Sequence, residues 1–264
     1  MMGSTIDAYG RKGGAVTLDG RHALVTGGGQ GIGAAVARAL TGAGARVTVL
    51  GRRAETLAAI VAAGGAGAHV TADVTDALAL EAALAALSPV DILVNNAGAA
   101  ESASFARTTR DIWDRMLAVN LTAVFTTTHA LLPGMLARGW GRVVTIASTA
   151  GLSGYPYVSA YVAAKHGAIG LTRALALETA GKGVTVNAVC PGYTETELVQ
   201  SSIARIAARG GRDAESIRAD FTRANPQGRL VQPHEVAAAV LYLCGPGSDA
   251  ITGISLPVAG GEVM

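Results

Sequence analysis

The feature that most constrains the fold is a cluster of glycines between a short apolar run and a helical pattern. Five of the 35 glycines fall within positions 27–33, directly after His22–Thr26. After them, Ile32, Val36 and Leu40 recur at helical spacing. Glycine permits positive φ and lets backbone N–H groups approach a pyrophosphate, whose charge is favoured at a helix N-terminus. The cluster predicts a strand–loop–helix unit that binds a dinucleotide, a tight turn without ligand being the alternative.

The rest of the chain alternates short β-branched runs with longer Ala-rich segments of helical period. This alternation is typical of βα units around a parallel sheet. It predicts seven strands, at His22–Thr26, Arg46–Leu50, Ala68–Ala72, Val90–Asn95, Val143–Ala147, Val184–Val189 and Ile254–Val258. After the helix that ends at Gly42, it predicts further helices at Ala54–Ala63, Asp76–Leu87, Thr109–Leu132, Val158–Thr179 and Pro233–Leu243.

Composition limits the classes of protein that this chain can belong to. With 264 residues, 50% hydrophobic and 15% charged, it can fold as one domain, which we place at 20–264 after a flexible extension of residues 1–19. A net charge of +2 without a basic cluster argues against nucleic acid and membrane partners. No run reaches the roughly 18–20 consecutive apolar residues of a membrane helix. Two cysteines exclude a disulfide scaffold and indicate a cytoplasmic protein.

The segment after the second predicted strand bears on the choice of dinucleotide. In such sites a residue about 20 positions after the loop contacts the adenosine ribose, an acid for NAD and an arginine for NADP. Here Arg52 and Arg53 occupy that place. A guanidinium can bind a 2′-phosphate bidentately, so NADP(H) is preferred, with Arg52 as the clamp and NAD(H) still possible. The alternative is that both arginines begin a solvated helix.

Four polar residues form a candidate catalytic group. Tyr161 and Lys165 are four positions apart on a predicted helix and so share one face. A lysine ammonium beside a phenol lowers the phenol pKa. Ser148 follows the fifth predicted strand, at the sheet edge where α/β folds bind ligands, and Asn120 interrupts an apolar helix. Each residue alone could be structural, as a cap, a packed aromatic ring or a buried amide.

Together with the glycine loop Thr-Gly-x-x-x-Gly-x-Gly, these residues resemble the short-chain dehydrogenase/reductase family. Asp73, the Asn-Asn-Ala-Gly run at 95–98, the tetrad of Asn120, Ser148, Tyr161 and Lys165, and the Pro-Gly motif at Pro191 match its order and spacing over residues 20–262. Ala259 departs from the family, which often has Asp there. The resemblance implies a single-domain, Rossmann-type, doubly wound α/β fold and cofactor contacts at Gly27, Gly29, Gln30, Gly31, Ile32, Gly33, Arg52, Arg53, Asp73, Val74, Asn96, Ala97, Gly98, Tyr161, Lys165, Pro191, Gly192, Thr194 and Thr196.

The activity that the resemblance implies is hydride transfer between a nicotinamide and a ketone or secondary alcohol. Tyr161 would act as acid or base, Ser148 would bind the carbonyl oxygen, Lys165 would bind the nicotinamide ribose, and Asn120 would position a relay water. Such a donor set suits an alkoxide that develops during reaction. No metal is required, since the five histidines are scattered.

Apolar and aromatic residues around the site suggest its substrate class. Ser148, Leu152, Tyr155, Tyr161 and Tyr193 are the expected substrate contacts, and 193–231 is the expected substrate lid. They favour a moderately apolar ketone or a 3-oxoacyl thioester as substrate. One alternative is a hydroxy acid or another secondary alcohol that is oxidised with NAD. A second alternative, of a different class, is a non-catalytic dinucleotide-binding sensor or scaffold. The resemblance also implies a homotetramer.

Overall fold

The computed structural model describes residues 16–210 and 213–263. One sheet contains β1 (His22–Thr26), β2 (Arg46–Gly51), β3 (Ala68–Thr71), β4 (Ile92–Asn95), β5 (Gly141–Ile146), β6 (Val184–Pro191) and β7 (Ser255–Val258). Its strand order is β3-β2-β1-β4-β5-β6-β7 and each adjacent pair is parallel. The predicted parallel sheet of seven strands is confirmed, with strand ends within two residues of those expected.

Helices cover both faces of this sheet. They are α1 (Gly31–Gly42), α2 (Ala54–Ala62), α3 (Ala77–Ala85), α4 (Arg110–Leu117), α5 (Ala123–Arg138), α6 (Ser159–Thr179), α7 (Glu197–Gly210), α8 (Ala214–Arg223) and α9 (Pro233–Cys244). Short 3₁₀ turns occur at Phe105–Arg107 and Thr149–Gly151, and a π turn occurs at Ala118–Thr122. The doubly wound α/β class expected from the sequence is confirmed.

Alternate residues of each strand enter two different cores. In β1, Ala23 and Val25 pack with α1 and α9 on one face, whereas Leu24 packs with α3 and α5 on the other. Likewise Ile92 of β4 faces the first core and Leu93 the second. Side chains alternate across a strand, so a strand covered on both faces has a continuous apolar run. This burial fixes the register that brings the strand ends together.

The predicted helix Thr109–Leu132 is wrong in two respects. It is divided into α4 and α5 by the π turn Ala118–Thr122, and α5 continues past Pro133 to Arg138. The helix ends where Gly139 adopts the left-handed conformation, with φ of 65°. The whole run Arg110–Arg138, 29 residues, is long and apolar enough to cross a membrane by length and composition, with mean hydropathy 1.3 and 33% burial in its most apolar part. A helix packed in a globular domain can meet the same criterion.

The segment 193–231, the expected substrate lid, for which no helix was predicted, contains α7 and α8. Val199 and Ile203 of α7 pack with Ile217 of α8 and with Leu230 in a small apolar cluster. Asp213 accepts a hydrogen bond from Ser216 N at 2.8 Å, which caps the N-terminus of α8. This pair of helices was not predicted, because the segment is rich in Arg, Ser and Gly and has only a few apolar residues at helical spacing.

The predicted N-terminal extension of residues 1–19 lies outside the described residues up to position 15. Its last residues contact the domain: Leu18 is buried, and Leu18 N donates to Ala43 O at 2.6 Å. Val16 packs against the core that includes α1 and α9. Residues 16–19 therefore form part of the packed domain.

Candidate active site

The candidate active site lies at the carboxyl edge of the sheet, where the strand order reverses between β1 and β4. In open α/β sheets, ligands bind in the crevice at such a reversal. β1 ends here in the glycine loop, β4 before Asn96, β5 shortly before Ser148, and β6 at Pro191. Residues predicted from separate parts of the sequence are thus brought to one edge.

The glycine loop forms a close cradle that side chains would fill. Gly27 and Gly31 have φ of 63° and 52°. A Cβ on Gly33 would lie 2.3 Å from Gly27 O and 2.4 Å from Asn96 Nδ2, so only glycine fits there. Gln30 Oε1 is buried without a hydrogen-bond partner among the described residues. The bare backbone fits a pyrophosphate at the helix N-terminus, and the unpartnered Gln30 Oε1 can accept from a donor such as a ribose hydroxyl.

Asn96 braces this cradle from the neighbouring strand. Its Nδ2 donates to Thr26 O at 2.9 Å and to Gly27 O at 3.1 Å. In return, Thr26 Oγ1 accepts from the backbone N–H groups of Asn96 and Ala97, both at 3.0 Å. Thr26 was not among the predicted site residues, although its position directly before the glycines was the available signal.

Asn120 lies in the π turn and is fully buried. Its Nδ2 donates to Ala99 O at 2.9 Å and to Met116 O at 3.0 Å, and its Oδ1 accepts from Ala99 N at 3.3 Å. A Cβ on Gly98 would lie 2.9 Å from Asn120 Oδ1. π turns insert one residue into a helix and often occur at functional sites. This one directs the Asn120 amide toward the loop after β4.

Lys165 is buried at the same edge, with 5% of its surface exposed. Its Nζ donates to Ile146 O at 2.8 Å and would lie 3.8 Å from a Cβ on Gly98. Burial lowers the pKa of Lys165 to about 8, because the charged ammonium loses solvation. The neighbouring Cys190 thiol is also buried, which raises its pKa to about 11 and keeps it protonated.

Tyr161 and Ser148 meet beside this lysine. Lys165 Nζ lies 5.6 Å from the centroid of the Tyr161 ring. Burial raises the pKa of Tyr161, and a hydrogen bond with Ser148 opposes this increase only in part. The net pKa of Tyr161 is therefore above its ordinary value, opposite to the direction expected from the sequence, because desolvation is the largest cause. Ser148 Oγ also accepts from Ala150 N at 3.1 Å, which fixes the start of the 3₁₀ turn.

The predicted adenosine end is open to solvent. Arg52 Nη1 lies 3.8 Å from Asp73 Oδ2, with 76% of the Arg52 side chain exposed. Arg53 Nη2 lies 3.8 Å from Glu197 Oε2 at the start of α7, and both side chains are more than half exposed. Val74, in contrast, is buried in the core with α3. Exposed pairs at this distance are weak, so both guanidinium groups can change partners.

Residues after β6 close the crevice from the other side. Thr194 Oγ1 donates to Gly192 O at 2.9 Å, and Thr194 forms a bridge with Val231. Thr196 Cγ2 would lie 3.2 Å from a Cβ on Gly31, and its Oγ1 accepts from Val199 N at 3.4 Å. The beginning of α7 is thereby placed over the glycine loop.

The predicted substrate contacts outside the tetrad are Leu152 and two tyrosines, Tyr155 and Tyr193. Tyr193 packs against Phe221 of α8, with ring centroids 4.6 Å apart. Tyr155 OH donates a hydrogen bond to Glu262 Oε1. The pKa of Tyr155 is raised, mainly because the phenol is buried and also because of this hydrogen bond. Leu152 is partly buried against the cluster that contains Cys190. Glu262 was not predicted as a site residue.

The fold and this cluster define the class of dinucleotide-dependent α/β oxidoreductases. The profile of the short chain dehydrogenase family matches residues 21–207, more than half of the 264 residues. The chain belongs to this family. Its predicted resemblance and its assignment as an enzyme acting on alcohol or ketone groups are confirmed.

Three relatives show the range of activities among similar proteins. A Streptomyces coelicolor protein with the provisional name of a ketoacyl reductase is 43% identical, over 93% of this chain and 98% of its own. D-beta-hydroxybutyrate dehydrogenase of Cupriavidus necator is 39% identical, over 93% and 99%. The crystal structure of a single-residue tryptophan variant of actinorhodin polyketide ketoreductase with NADPH has a TM-score of 0.88 and 41% identity, over 94% and 99%.

Proposed function

We propose that this protein is an NADP(H)-dependent oxidoreductase that interconverts a ketone, or a 3-oxoacyl thioester, and a secondary alcohol. The observation that carries the proposal is the convergence of Tyr161, Ser148 and Lys165 at the end of β5, beside the glycine loop. A phenol, a hydroxyl and an ammonium in one crevice provide a proton and hydrogen bonds for an oxygen that becomes an alkoxide.

Tyr161 supplies the proton in this proposal. Its raised pKa keeps the hydroxyl protonated at neutral pH, which is the form that donates to a substrate carbonyl oxygen during reduction. Ser148, hydrogen-bonded to Tyr161, shares that oxygen and orients it. Lys165 holds the ribose next to the nicotinamide, and Asn120, fixed by three hydrogen bonds, positions a water for proton exchange. These groups are pre-aimed and need little reorganisation.

The residues of the crevice fit a nicotinamide dinucleotide. When bound, this cofactor supplies or accepts the hydride. The pyrophosphate would lie on the glycine loop at the N-terminus of α1, and Thr194 and Thr196 would close over it. The complete set of proposed contacts is Gly27, Gly29, Gln30, Gly31, Ile32, Gly33, Arg52, Arg53, Asp73, Val74, Asn96, Ala97, Gly98, Tyr161, Lys165, Pro191, Gly192, Thr194 and Thr196.

Two observations support NADP(H). Arg52 is largely exposed and only weakly paired with Asp73, so it can bind a 2′-phosphate. A relative at 41% identity was solved with NADPH. We expect Arg52→Ala to weaken NADPH binding about 10- to 100-fold and to leave NADH binding unchanged, because one bidentate charge-assisted contact is lost. Fluorescence titration of both nucleotides tests this, with Arg46→Ala, at an exposed arginine at the start of β2, as the matched control. Equal weakening of both nucleotides would refute the clamp.

A second candidate is oxidation of a hydroxy acid or another secondary alcohol with NAD. The D-beta-hydroxybutyrate dehydrogenase at 39% identity favours it. Against it, the predicted substrate wall is formed by Leu152, Tyr155 and Tyr193, which suit an apolar substrate. A panel of ketones, 3-oxoacyl thioesters and secondary alcohols, assayed with both nicotinamides, separates the two candidates. NADPH-dependent reduction of ketones or thioesters is expected, and turnover only of hydroxy acids with NAD would overturn the proposal.

We also propose a cytoplasmic homotetramer in which residues 193–231 act as a substrate lid on a single domain. Phe125 of α5 and Leu177 of α6 are 52% and 83% exposed. These apolar side chains lie on helices rich in small residues, which permit close packing between subunits. Light scattering is expected to give the mass of four chains, and a monomer would contradict the assembly.

A further inference from the structure

The C-terminal turn holds Glu262 in a fixed position. After β7 the chain reverses through Gly260 and Gly261, with φ of 62° and 95°, and Glu262 N donates to Ala259 O at 3.2 Å. A Cβ on Gly260 would lie 2.1 Å from Asn225 Oδ1, so the turn packs closely on the segment after α8. The turn therefore fixes the backbone position from which Glu262 extends.

Both carboxylate oxygens of Glu262 lie against the predicted substrate site. Oε1 accepts a hydrogen bond from Tyr155 OH. Oε2 would lie 2.7 Å from a Cβ on Gly192, which is the glycine that follows β6. Among the described side chains, none of Lys, Arg or His forms an ion pair with Glu262. Within the part of the chain that the structure describes, the site therefore contains a carboxylate whose side-chain partner is the phenol of Tyr155.

This charge also affects the tyrosines around the reacting position. The pKa of Tyr193 is raised, first by burial and then by Glu262. Tyr193 in turn is close enough to Tyr161 to contribute to its raised pKa. The carboxylate and the proposed proton donor thus belong to one cluster, through Tyr193.

We propose that Glu262 determines substrate specificity by excluding compounds with a free carboxylate near the carbonyl and by accepting neutral ones. The inference rests on the proposed function and deepens it. Like charges in a partly desolvated site repel more strongly than in water, so an anionic substrate loses affinity there. A neutral ester or thioester is not repelled by the carboxylate and keeps its affinity. A hydroxyl group on the substrate could instead donate to the carboxylate.

Equilibrium binding tests this without turnover. In Tyr161→Phe bound to NADPH, acetoacetate and ethyl acetoacetate are titrated by nucleotide fluorescence, and the titration is repeated in the double variant with Glu262→Gln. Glutamine keeps the shape and removes the charge. We expect it to tighten acetoacetate binding about tenfold and to change ester binding less than about twofold. Unchanged NADPH affinity shows that the turn has kept its fold.

Tyr155→Phe, in the same background, is the matched control. It removes the hydrogen bond but keeps the carboxylate, so the ratio of acid to ester affinity should stay low. An equal ratio of acid to ester affinity with Glu262 and with Glu262→Gln would overturn the inference about Glu262 and leave the proposed function standing. Failure of every variant to bind either compound would overturn both the inference and the proposed carbonyl site, and wild-type turnover of the ester tests the proposed function separately.

Discussion

The catalytic edge of the sheet and the segment 193–231 are held by different kinds of interaction. At the edge, Asn120 and Lys165 are 0% and 5% exposed and their polar atoms form hydrogen bonds with backbone N–H and C=O groups. In the segment, Arg218 pairs with Glu195 while 46% of the arginine side chain remains exposed. Buried polar contacts fix geometry, whereas exposed ion pairs add little stability. The polar groups at the edge are therefore held in place by buried hydrogen bonds, whereas this ion pair adds little to the stability of the segment.

The largest expected effect comes from removing a donor at the edge. Ser148→Ala should lower kcat about 10²- to 10³-fold, because one hydrogen bond to the developing alkoxide is lost. Steady-state assays with NADPH measure it. Ser153→Ala, an exposed serine of the same loop, is the control and should retain wild-type kcat. Similar kcat values for both variants would show that the edge does not act on the substrate.

Lys165→Met tests the cost of burying a charge at the edge. The folded pKa of about 8 is below the ordinary 10.5, so the folded chain releases this proton before the unfolded chain does. The unfolding free energy of the wild type therefore rises between pH 8 and 10.5. Below pH 8 the buried lysine is charged, and the folded state is destabilised by the full cost of burying that charge. The methionine variant should be more stable by about 2 kcal/mol at pH 7, although inactive.

Urea unfolding of both proteins at several pH values measures this difference. It should narrow as the pH rises to about 10. Lys182→Met, at an exposed lysine, should show no such trend. A constant difference between about pH 7 and 10 would mean that the ammonium of Lys165 is not desolvated.

The smallest effect is expected in the segment. Arg218→Ala removes the partner that lowers the pKa of Glu195, yet should cost less than about 1 kcal/mol of unfolding free energy, since the pair is exposed. The effect should shrink further in high salt, because screening weakens surface pairs. A loss above about 2 kcal/mol would place this segment with the rigid part of the molecule.

Local patterns explain what the sequence could predict. The seven strands and the glycine loop follow from periodicity and from adjacent residues, and the helical spacing of Tyr161 and Lys165 predicts their common face. The π turn at Asn120 has no local signal, because packing against Ala99 and Met116 selects it. Glu262 was missed because Tyr155 is 107 positions away along the chain. Contacts of that separation arise only from the order of the strands.

The central claim is that Tyr161 transfers the proton in a preformed site. Tyr161→Phe tests it most directly. The rate of ketone reduction and the NADPH affinity are measured on the same preparation. The account predicts a fall in turnover of about 10³-fold, within the range for a positioned general acid, and an NADPH Kd within about threefold of the wild type. Turnover close to that of the wild type would contradict it.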